Sequence, residues 1–372
     1  MARIWLLVFV LAAVYVMAGY PVLLAWLARR SPAPVKASLE YRSPVSVLIA
    51  AYNGGLYLAA KLDSLLDSDY PGELVEIIVA SDGSTDETNA IARRYESRGV
   101  RLLELPRGGK PAALNAAIEA ASHPILLFTD VRQTLDRSSV SSLITCFADP
   151  HVGAASGYLV IRSGTTEQDN VGLYWRYERW IRTNLSALDS IFGATGAFYA
   201  MRRELVRKMP ADILLDDMFL PLAAFFQGYR LILEEKARIY DFPTGVNAEF
   251  RRKVRTLAGN YQLFGIYPEL FTFRNRMLLH FLSYKFGRLL LPWFFLGALA
   301  ASFFLPAPLR EAALLAQGLF YGLAITDRFV SQGSLLKKLT SPLWTVVSML
   351  TATACAISIL FVPAQQLWKP TK

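Results

Sequence analysis

Five side chains draw notice because of where they fall along the chain. Asp82 lies in Ser81-Asp82-Gly83-Ser84-Thr85-Asp86, Lys110 in Gly108-Gly109-Lys110-Pro111, Asp130 in Thr129-Asp130-Val131-Arg132-Gln133, and Asp216-Asp217 follow Ile213-Leu214-Leu215. A carboxylate on a glycine-flanked turn can accept hydrogen bonds from a ribose or a base N–H, and Gly83 lets the backbone come close to such a ligand. A basic residue in a Gly-rich turn at a helix start is a natural anion site, though a solvated turn lysine is the more common case. A carboxylate at the carboxyl end of a strand, as Asp130 is placed, can hold a divalent cation against a diphosphate. Thr85, Asp86 and Asp136 fit helix caps better than ligands. The pair Asp216-Asp217 can be read either as chemistry or as the cap of the helix that follows.

The surrounding pattern supplies the elements that would position these groups. Val45–Ala50 reads as a buried strand that ends in Ala51-Tyr52-Asn53-Gly54-Gly55, and 56–66 reads as an amphipathic helix. Glu76–Ala80 is a second strand, closed by the Asp82 loop and followed by a helix over 88–95. A helix over 112–121 contains Asn115, and a third strand, 125–128, leads to Asp130. Two strand–loop–helix units in succession predict an α/β domain on a parallel sheet, with ligands beyond the carboxyl ends of the strands.

Composition divides the chain. A hydrophobic share of 53% and a mean hydropathy of +0.31 are high for a soluble protein, yet 19% charged residues are too many for a wholly intramembrane one. Ile4–Leu27 is an almost unbroken apolar run long enough to span a bilayer, and it is too long for a cleaved signal peptide. Arg29, Arg30 and Lys36 follow it, so the positive-inside rule places the next segment in the cytoplasm. Further apolar runs at 282–305, 312–326 and 342–362 predict about three C-terminal spans, the middle one short enough to be re-entrant. Lys337 and Lys338 argue for a cytoplasmic loop, while Lys369 and Lys372 fit that topology poorly. The expected organisation is an anchor over 1–30, a catalytic domain over 41–262, an interfacial segment over 263–281 and a membrane region over 282–372. The net charge of +9 suits anionic ligands, anionic lipid or basic cytoplasmic loops. Two distant cysteines and three scattered histidines argue against a disulfide framework and against a zinc site.

Taken together, the motifs resemble glycosyltransferase family 2, inverting enzymes with the GT-A nucleotide-diphospho-sugar fold. The likeness runs from about Val45 to Gln262. VSVLIAAYN is similar to the family's first strand and its P-A-Y-N-E loop, EIIVASDGSTDET to the second strand, and GKPAALN to the lysine–helix segment. FTDVRQ stands where the family has D-x-D, GATGAFYAMR resembles the acceptor-side loop, and Leu215-Asp216-Asp217 resembles the E-D motif that carries the base. Ala50 and Gly54 replace the proline and glutamate of P-A-Y-N-E, and Arg132 replaces the second aspartate of D-x-D. Arg255 keeps the arginine of Q-x-x-R-W, but the Gln and Trp of processive synthases are lost.

The resemblance implies that Ala51, Tyr52, Asn53, Asp82, Lys110, Asp130 and Arg255 bind the nucleotide sugar. It makes Asp217 the base with Asp216 beside it, Gly193, Thr195 and Gly196 the acceptor side, and Asp130 the ligand of Mg²⁺ or Mn²⁺. The implied partners are a nucleotide-diphospho-sugar, a glycan or lipid-linked acceptor and membrane lipids, with no nucleic acid. The acceptor leaves two readings open, exopolysaccharide or cell-envelope glycan on one side and a lipid or polyprenyl phosphate on the other. A transporter with a regulatory domain is disfavoured by the few spans and their scarcity of polar residues. Arg132 leaves room for a binding protein without catalysis. The stretch Tyr174–Trp180 mixes aromatics with charge, and fits an interfacial helix, an acceptor wall or an amphipathic core helix.

Overall fold

The computed structural model describes residues 1–162, 173–242, 246–331 and 334–367. Lys369 and Lys372 lie outside them. The chain forms two units, a helical one (Met1–Arg30, Gly172–Ile181, Thr244–Lys372) and a sheet one (Ser31–Val171, Arg182–Pro243).

The chain begins in the helical unit. Helix α1 (Ala2–Val14), a π-helical turn at Tyr15–Gly19 and α2 (Tyr20–Arg30) run on as one 29-residue helix. Its apolar run has no charge before Arg29 except Arg3, so nothing in it resists burial in lipid.

The sheet unit follows. It contains β1 (Val45–Ala51), α3 (Gly55–Leu66), β2 (Val75–Asp82), α4 (Thr88–Arg94), β3 (Val100–Leu105), α5 (Lys110–Ala120) and β4 (Ile125–Thr129). After these come β5 (Thr134–Leu135), α6 (Ser139–Thr145), β6 (Val152–Ile161), the C-terminal part of α7 (Leu173–Leu188), β7 (Phe198–Arg202), α8 (Asp216–Phe226) and β8 (Arg230–Asp241). The eight strands lie in the order β3-β2-β1-β4-β7-β6-β8-β5. Strands β3, β2, β1 and β4 are mutually parallel, whereas β7 runs against both β4 and β6.

Strands buried on both faces need continuous apolar runs, which β1 (VSVLIAA) and β4 (ILLFT) supply. Leu58, Leu62 and Leu65 of α3 share one core with Val47 and Ile49 of β1 and Ile77 and Val79 of β2. The α/β expectation and the first two strands therefore agree with the fold. The strand before Asp130, expected as the third, is the fourth. Sequence reading passed over β3, the edge strand, because the exposed Arg101 and Glu104 break its apolar pattern. The antiparallel half of the sheet was also not foreseen.

The helical unit resumes with α9 (Val246–Ile266), α10 (Leu278–His280) and a π-helical stretch at Phe281–Phe286. It closes with α11 (Gly287–Phe303), α12 (Leu309–Thr326) and α13 (Leu335–Ala356). Among the described residues three helices are long and apolar enough to cross a membrane: Ala2–Arg30, Leu278–Phe303 and Leu335–Leu360. The middle C-terminal run, α12, is a helix but is not one of the three. Its first turn carries Arg310 and Glu311.

The two π-helical stretches meet: Tyr15 Oη and Ser283 Oγ are 2.8 Å apart, and a Cβ on Gly287 would come 3.1 Å from a Val16 methyl. Tyr177 Oη donates to the Met17 carbonyl at 2.9 Å, satisfying a backbone acceptor of the first bulge. Arg288 reaches Glu178 at 2.7 Å and Tyr174 Oη at 2.7 Å, and Tyr284 Oη donates to the other Glu178 oxygen. Within Tyr174–Trp180, Glu178 thus serves packing among the helices. Cys146 is buried in the sheet unit and Cys355 is exposed on α13, with no disulfide.

Candidate active site at the strand ends

The loop after β1 is fastened to the loop after β2. Asn53 Oδ1 accepts from Thr85 N at 2.8 Å, and Asn53 N donates to Ser84 Oγ at 3.1 Å. Gly54 N donates to Thr88 Oγ1 at 2.9 Å and Gly55 N to Asp86 Oδ2 at 2.9 Å. Asn53 has φ +49°, a left-handed conformation that Asn tolerates better than most residues. Asp86 also accepts from Thr88 N at 3.0 Å at the start of α4, and Asp136 from Ser138 N at 3.3 Å ahead of α6. Both bonds are helix-start contacts of the kind expected from the sequence. Burial would raise the Asp86 carboxyl, but the Thr88 hydroxyl and the backbone N–H groups of Gly55, Thr88 and Asp86 itself outweigh it and lower the pKa.

Asp82 is 2% exposed, and its carboxylate is already engaged. It accepts from Gly108 N at 2.6 Å, from Gly109 N at 3.0 Å and from the Arg107 guanidinium. Those bonds pin the Gly-rich turn against the end of β2. Gly83, at φ +65°, permits the contact, since a Cβ there would lie 2.9 Å from Arg107 N. The Arg107 guanidinium also lies 3.6 Å from the centre of the half-exposed Tyr52 ring. Sequence reading began this motif at Gly108 and missed Arg107, although a cation next to a Gly-Gly-Lys turn was a visible signal.

Lys110, the first residue of α5, joins the remaining groups. Its Nζ lies 3.0 Å from Asp130 Oδ1 at the end of β4 and 3.1 Å from Asp216 Oδ1 at the start of α8. Burial disfavours the ammonium, but the two carboxylates outweigh it and raise the Lys110 pKa. Asp216 and Asp217 occupy the first turn of α8, where the helix dipole favours negative charge. Asp216 is 7% exposed and its Oδ2 is buried without a hydrogen bond among the described residues, whereas Asp217 is partly exposed.

The loop over 193–196 packs on that turn. Ala194 N donates to the Asp217 carbonyl at 2.7 Å, and a Cβ on Gly196 would sit 2.8 Å from Asp217 Oδ2. Only glycine leaves that carboxylate its room. Arg182 holds the loop through Thr195 Oγ1 at 3.1 Å and the Gly193 carbonyl at 3.2 Å, and Ser156 Oγ accepts from Thr195 N at 2.8 Å. Arg182 was not foreseen.

Three further residues complete the surroundings. Arg132 forms an ion pair with Asp241 at 2.7 Å and donates to the Phe242 carbonyl at 2.7 Å, so it braces the end of β8. Tyr199 is fully buried, stacks on Phe128 at 4.6 Å, and its hydroxyl has no partner among the described residues. Burial, then Asp216, Asp217 and Asp130, keep that phenol protonated. Lys61 is also fully buried; its Nζ donates to Thr129 Oγ1 at 2.8 Å, and that hydroxyl donates on to the Ala197 carbonyl at 2.8 Å. The signal for Lys61 was a lysine on the apolar face set by Leu58, Leu62 and Leu65.

The structure thus brings together Ala51, Tyr52, Asn53 and Asp82 on one side, and Lys110, Asp130, Asp216, Asp217, Gly193, Thr195 and Gly196 on the other. Arg255 stands on α9 of the helical unit. Among the described residues no group of three or more His, Cys, Asp or Glu is placed to hold a metal. Asp130 and Asp216 converge on one cation, Lys110, and Asp216 has a buried oxygen to spare. Such an all-oxygen pair fits Mg²⁺ or Mn²⁺, ions that complete their shells with water and phosphate.

Residues 46–209 match the family model described as glycosyl transferase family 2. A probable glycosyltransferase of Bacillus subtilis is 23% identical over 77% of this chain and 69% of its own length. A poly-β-1,6-N-acetyl-D-glucosamine synthase of Staphylococcus epidermidis is 23% identical over 62% of this chain and 57% of its own length. A mannosyltransferase of Pyrobaculum calidifontis, solved with GDP-Man and Mn²⁺, superposes with a TM-score of 0.75 at 25% identity, covering 97% of this chain and 99% of that one. With the parallel strands, their fastened loops and this agreement of sequence and fold, residues 46–209 form a family 2 glycosyltransferase domain built on a GT-A sheet.

Proposed function

We propose that the strand-end site takes a nucleotide-diphospho-sugar and passes the sugar, with inversion, to a hydroxyl of a membrane-proximal acceptor. The observation that carries this reading is the Lys110 ammonium held between Asp130 and Asp216, since it joins the groups assigned to the phosphates to those assigned to the acceptor. Inversion requires a base on the face opposite the departing diphosphate, and a donor held in line. Asp217, partly exposed beside the 193–196 loop, takes the acceptor proton; Asp216, tied to Lys110, fixes the turn that aims it. Tyr52, Asn53, Ala51 and Asp82 form the nucleotide side, and Lys110 meets phosphate charge. By the resemblance, Arg255 serves the departing diphosphate. Mg²⁺ or Mn²⁺, held by Asp130 with Asp216, would supply charge neutralisation to that diphosphate when bound.

The named relatives support a role in exopolysaccharide or cell-envelope glycan synthesis, and the GDP-Man and Mn²⁺ of the archaeal mannosyltransferase support the donor class and the ion. Arg29, Arg30 and Lys36 support a cytoplasmic catalytic domain, on the side where nucleotide sugars are made. Purified protein incubated with a panel of UDP- and GDP-sugars, with Mn²⁺ or with EDTA, tests the reading by mass spectrometry of the released nucleotide. The expected result is metal-stimulated release from at least one donor. No release from any of them, with membrane extract supplied as acceptor, would sink it.

A further inference from the structure

The four most exposed phenylalanines among the described residues, between 79% and 97% exposed, are Phe273, Phe329, Phe361 and Phe304. Single bare apolar side chains are ordinary on a surface, but these four share a place. Phe304 and Phe361 directly follow the last residues of the two C-terminal apolar helices, Leu278–Phe303 and Leu335–Leu360, and Phe273 and Phe329 stand shortly ahead of their first. The starts carry exposed cations, Arg274 and Arg276 at one, Arg328 and Lys338 at the other. Beyond the end of the first helix, Arg310 has Glu311 beside it at 3.8 Å.

At the first start the backbone is held from within. Asn275 is buried; its Nδ2 donates to the Leu270 carbonyl at 2.8 Å, and its Oδ1 accepts from Met277 N at 3.0 Å. Thr272 N donates to the Glu269 carbonyl at 3.0 Å and Asn275 N to the Thr272 carbonyl at 3.0 Å. Phe271 packs edge-on against Phe264, Phe281 and Phe286, with ring centres 5.2 Å away in each case. Phe273 takes no part in that cluster and is left bare at the tip of the turn. Beside it the exposed Arg274 guanidinium has no hydrogen bond or ion pair among the described residues.

We propose that this turn is an anionic-phospholipid site, in which the Phe273 ring enters the boundary between headgroups and acyl chains and the Arg274 guanidinium donates to the phosphate of a lipid beside it. This rests on reading Leu278–Phe303 as a span. Even fully extended, the chain from Phe273 to Leu278 reaches at most about 18 Å, so the ring stays near the level where that span meets the headgroups. Apolar side chains at such a surface enter roughly 5–10 Å, and a Phe so placed leaves water. A zwitterionic headgroup brings its own ammonium to the phosphate, whereas an anionic one leaves that charge to the protein. A guanidinium fork without a carboxylate partner therefore selects the anionic lipid.

Native mass spectrometry of the full chain in detergent, titrated with phosphatidylglycerol or phosphatidylcholine of the same acyl chains, tests the site. The wild type should bind its first phosphatidylglycerol more tightly than its first phosphatidylcholine by roughly fivefold, the effect of one surface cation. Arg274→Gln should remove most of that preference, and Phe273→Ser should weaken both lipids alike. Arg310→Gln should keep the preference. Equal binding of the two lipids by the wild type, or a preference that survives Arg274→Gln, would overturn the site. An equal loss in Arg310→Gln would reduce the effect to net charge and overturn it too. Glycerol 3-phosphate in excess should not displace phosphatidylglycerol; displacement would make the turn a small-anion site instead. Melting curves of both turn variants should match the wild type, since Asn275 holds the backbone. A wild type that fails to float with vesicles of phosphatidylcholine and phosphatidylglycerol defeats the span itself, and the lipid site with it.

Discussion

Lys110 brings one positive charge to a place where Asp130 and Asp216 meet, and the partly exposed Asp217 stands one residue further along α8. Asp217→Asn keeps the size and much of the hydrogen bonding but cannot take a proton, so transfer should fall by roughly 10²-fold or more with nucleotide affinity little changed. If Asp217 were only a helix-start residue, Asn would serve nearly as well and the rate would hold. Asp216→Asn should cost less; an inactive Asp216→Asn beside a full-rate Asp217→Asn would reverse the two roles. Asp130→Ala should remove both donor turnover and the response to Mn²⁺ while leaving the melting temperature near wild type. Near-normal rates in Mn²⁺ would refute that assignment.

Lys61 makes a pH-dependent contribution at the same scale. Burial pushes its ammonium down to about 7, with Asp130 pulling the other way. An unfolded lysine titrates near about 10.4, so between roughly pH 7 and pH 10.4 the unfolded chain binds a proton that the folded chain does not. Stability therefore rises with pH across that window, by at most about 1.4 kcal/mol per pH unit, and the full cost is present below it. Lys61→Met should flatten this slope and raise the urea midpoint at pH 7. An unchanged slope would show that the ammonium stays charged in the folded protein.

At the scale of elements, sequence pattern did well wherever burial was two-sided. β1, β2 and β4 appear as apolar runs, and their loops carry the residues whose types suggested a site. Pattern failed where an element is half solvated, as in β3, or where a residue acts through tertiary packing, as Lys61, Arg107 and Arg182 do. The antiparallel pairing of β7 with β4 follows from long-range register, which no local period encodes. The π-helical stretches are equally silent in sequence. Their polar lining nevertheless has energetic weight: Glu178 and Arg288 form a mostly buried pair between α7 and α11. Removing one partner, as in Glu178→Leu or Arg288→Met, should destabilise the helical unit by about 3 kcal/mol, because the other charge is left uncompensated. The double variant should recover much of that loss in detergent melts. Additive losses would mean the pair is not coupled.

At the scale of the whole molecule, the three apolar helices make membrane insertion the simplest account of the 53% hydrophobic content. The basic cluster after the first span predicts that proteases added to inverted vesicles cut within the sheet unit, and protection there would overturn the proposed orientation. The cysteines extend the argument from topology to reagent chemistry. Cys146 is buried, and burial pushes its thiol pKa up, so it presents little thiolate to any electrophile. Cys355 is bare on a helix with the length and composition of a span. A charged maleimide should therefore leave the protein unlabelled if that helix lies in lipid, where a thiol forms little thiolate, and modify a single position if it lies in water. The molecule thus carries its own one-site gauge of whether its last apolar helix lies in lipid or in water.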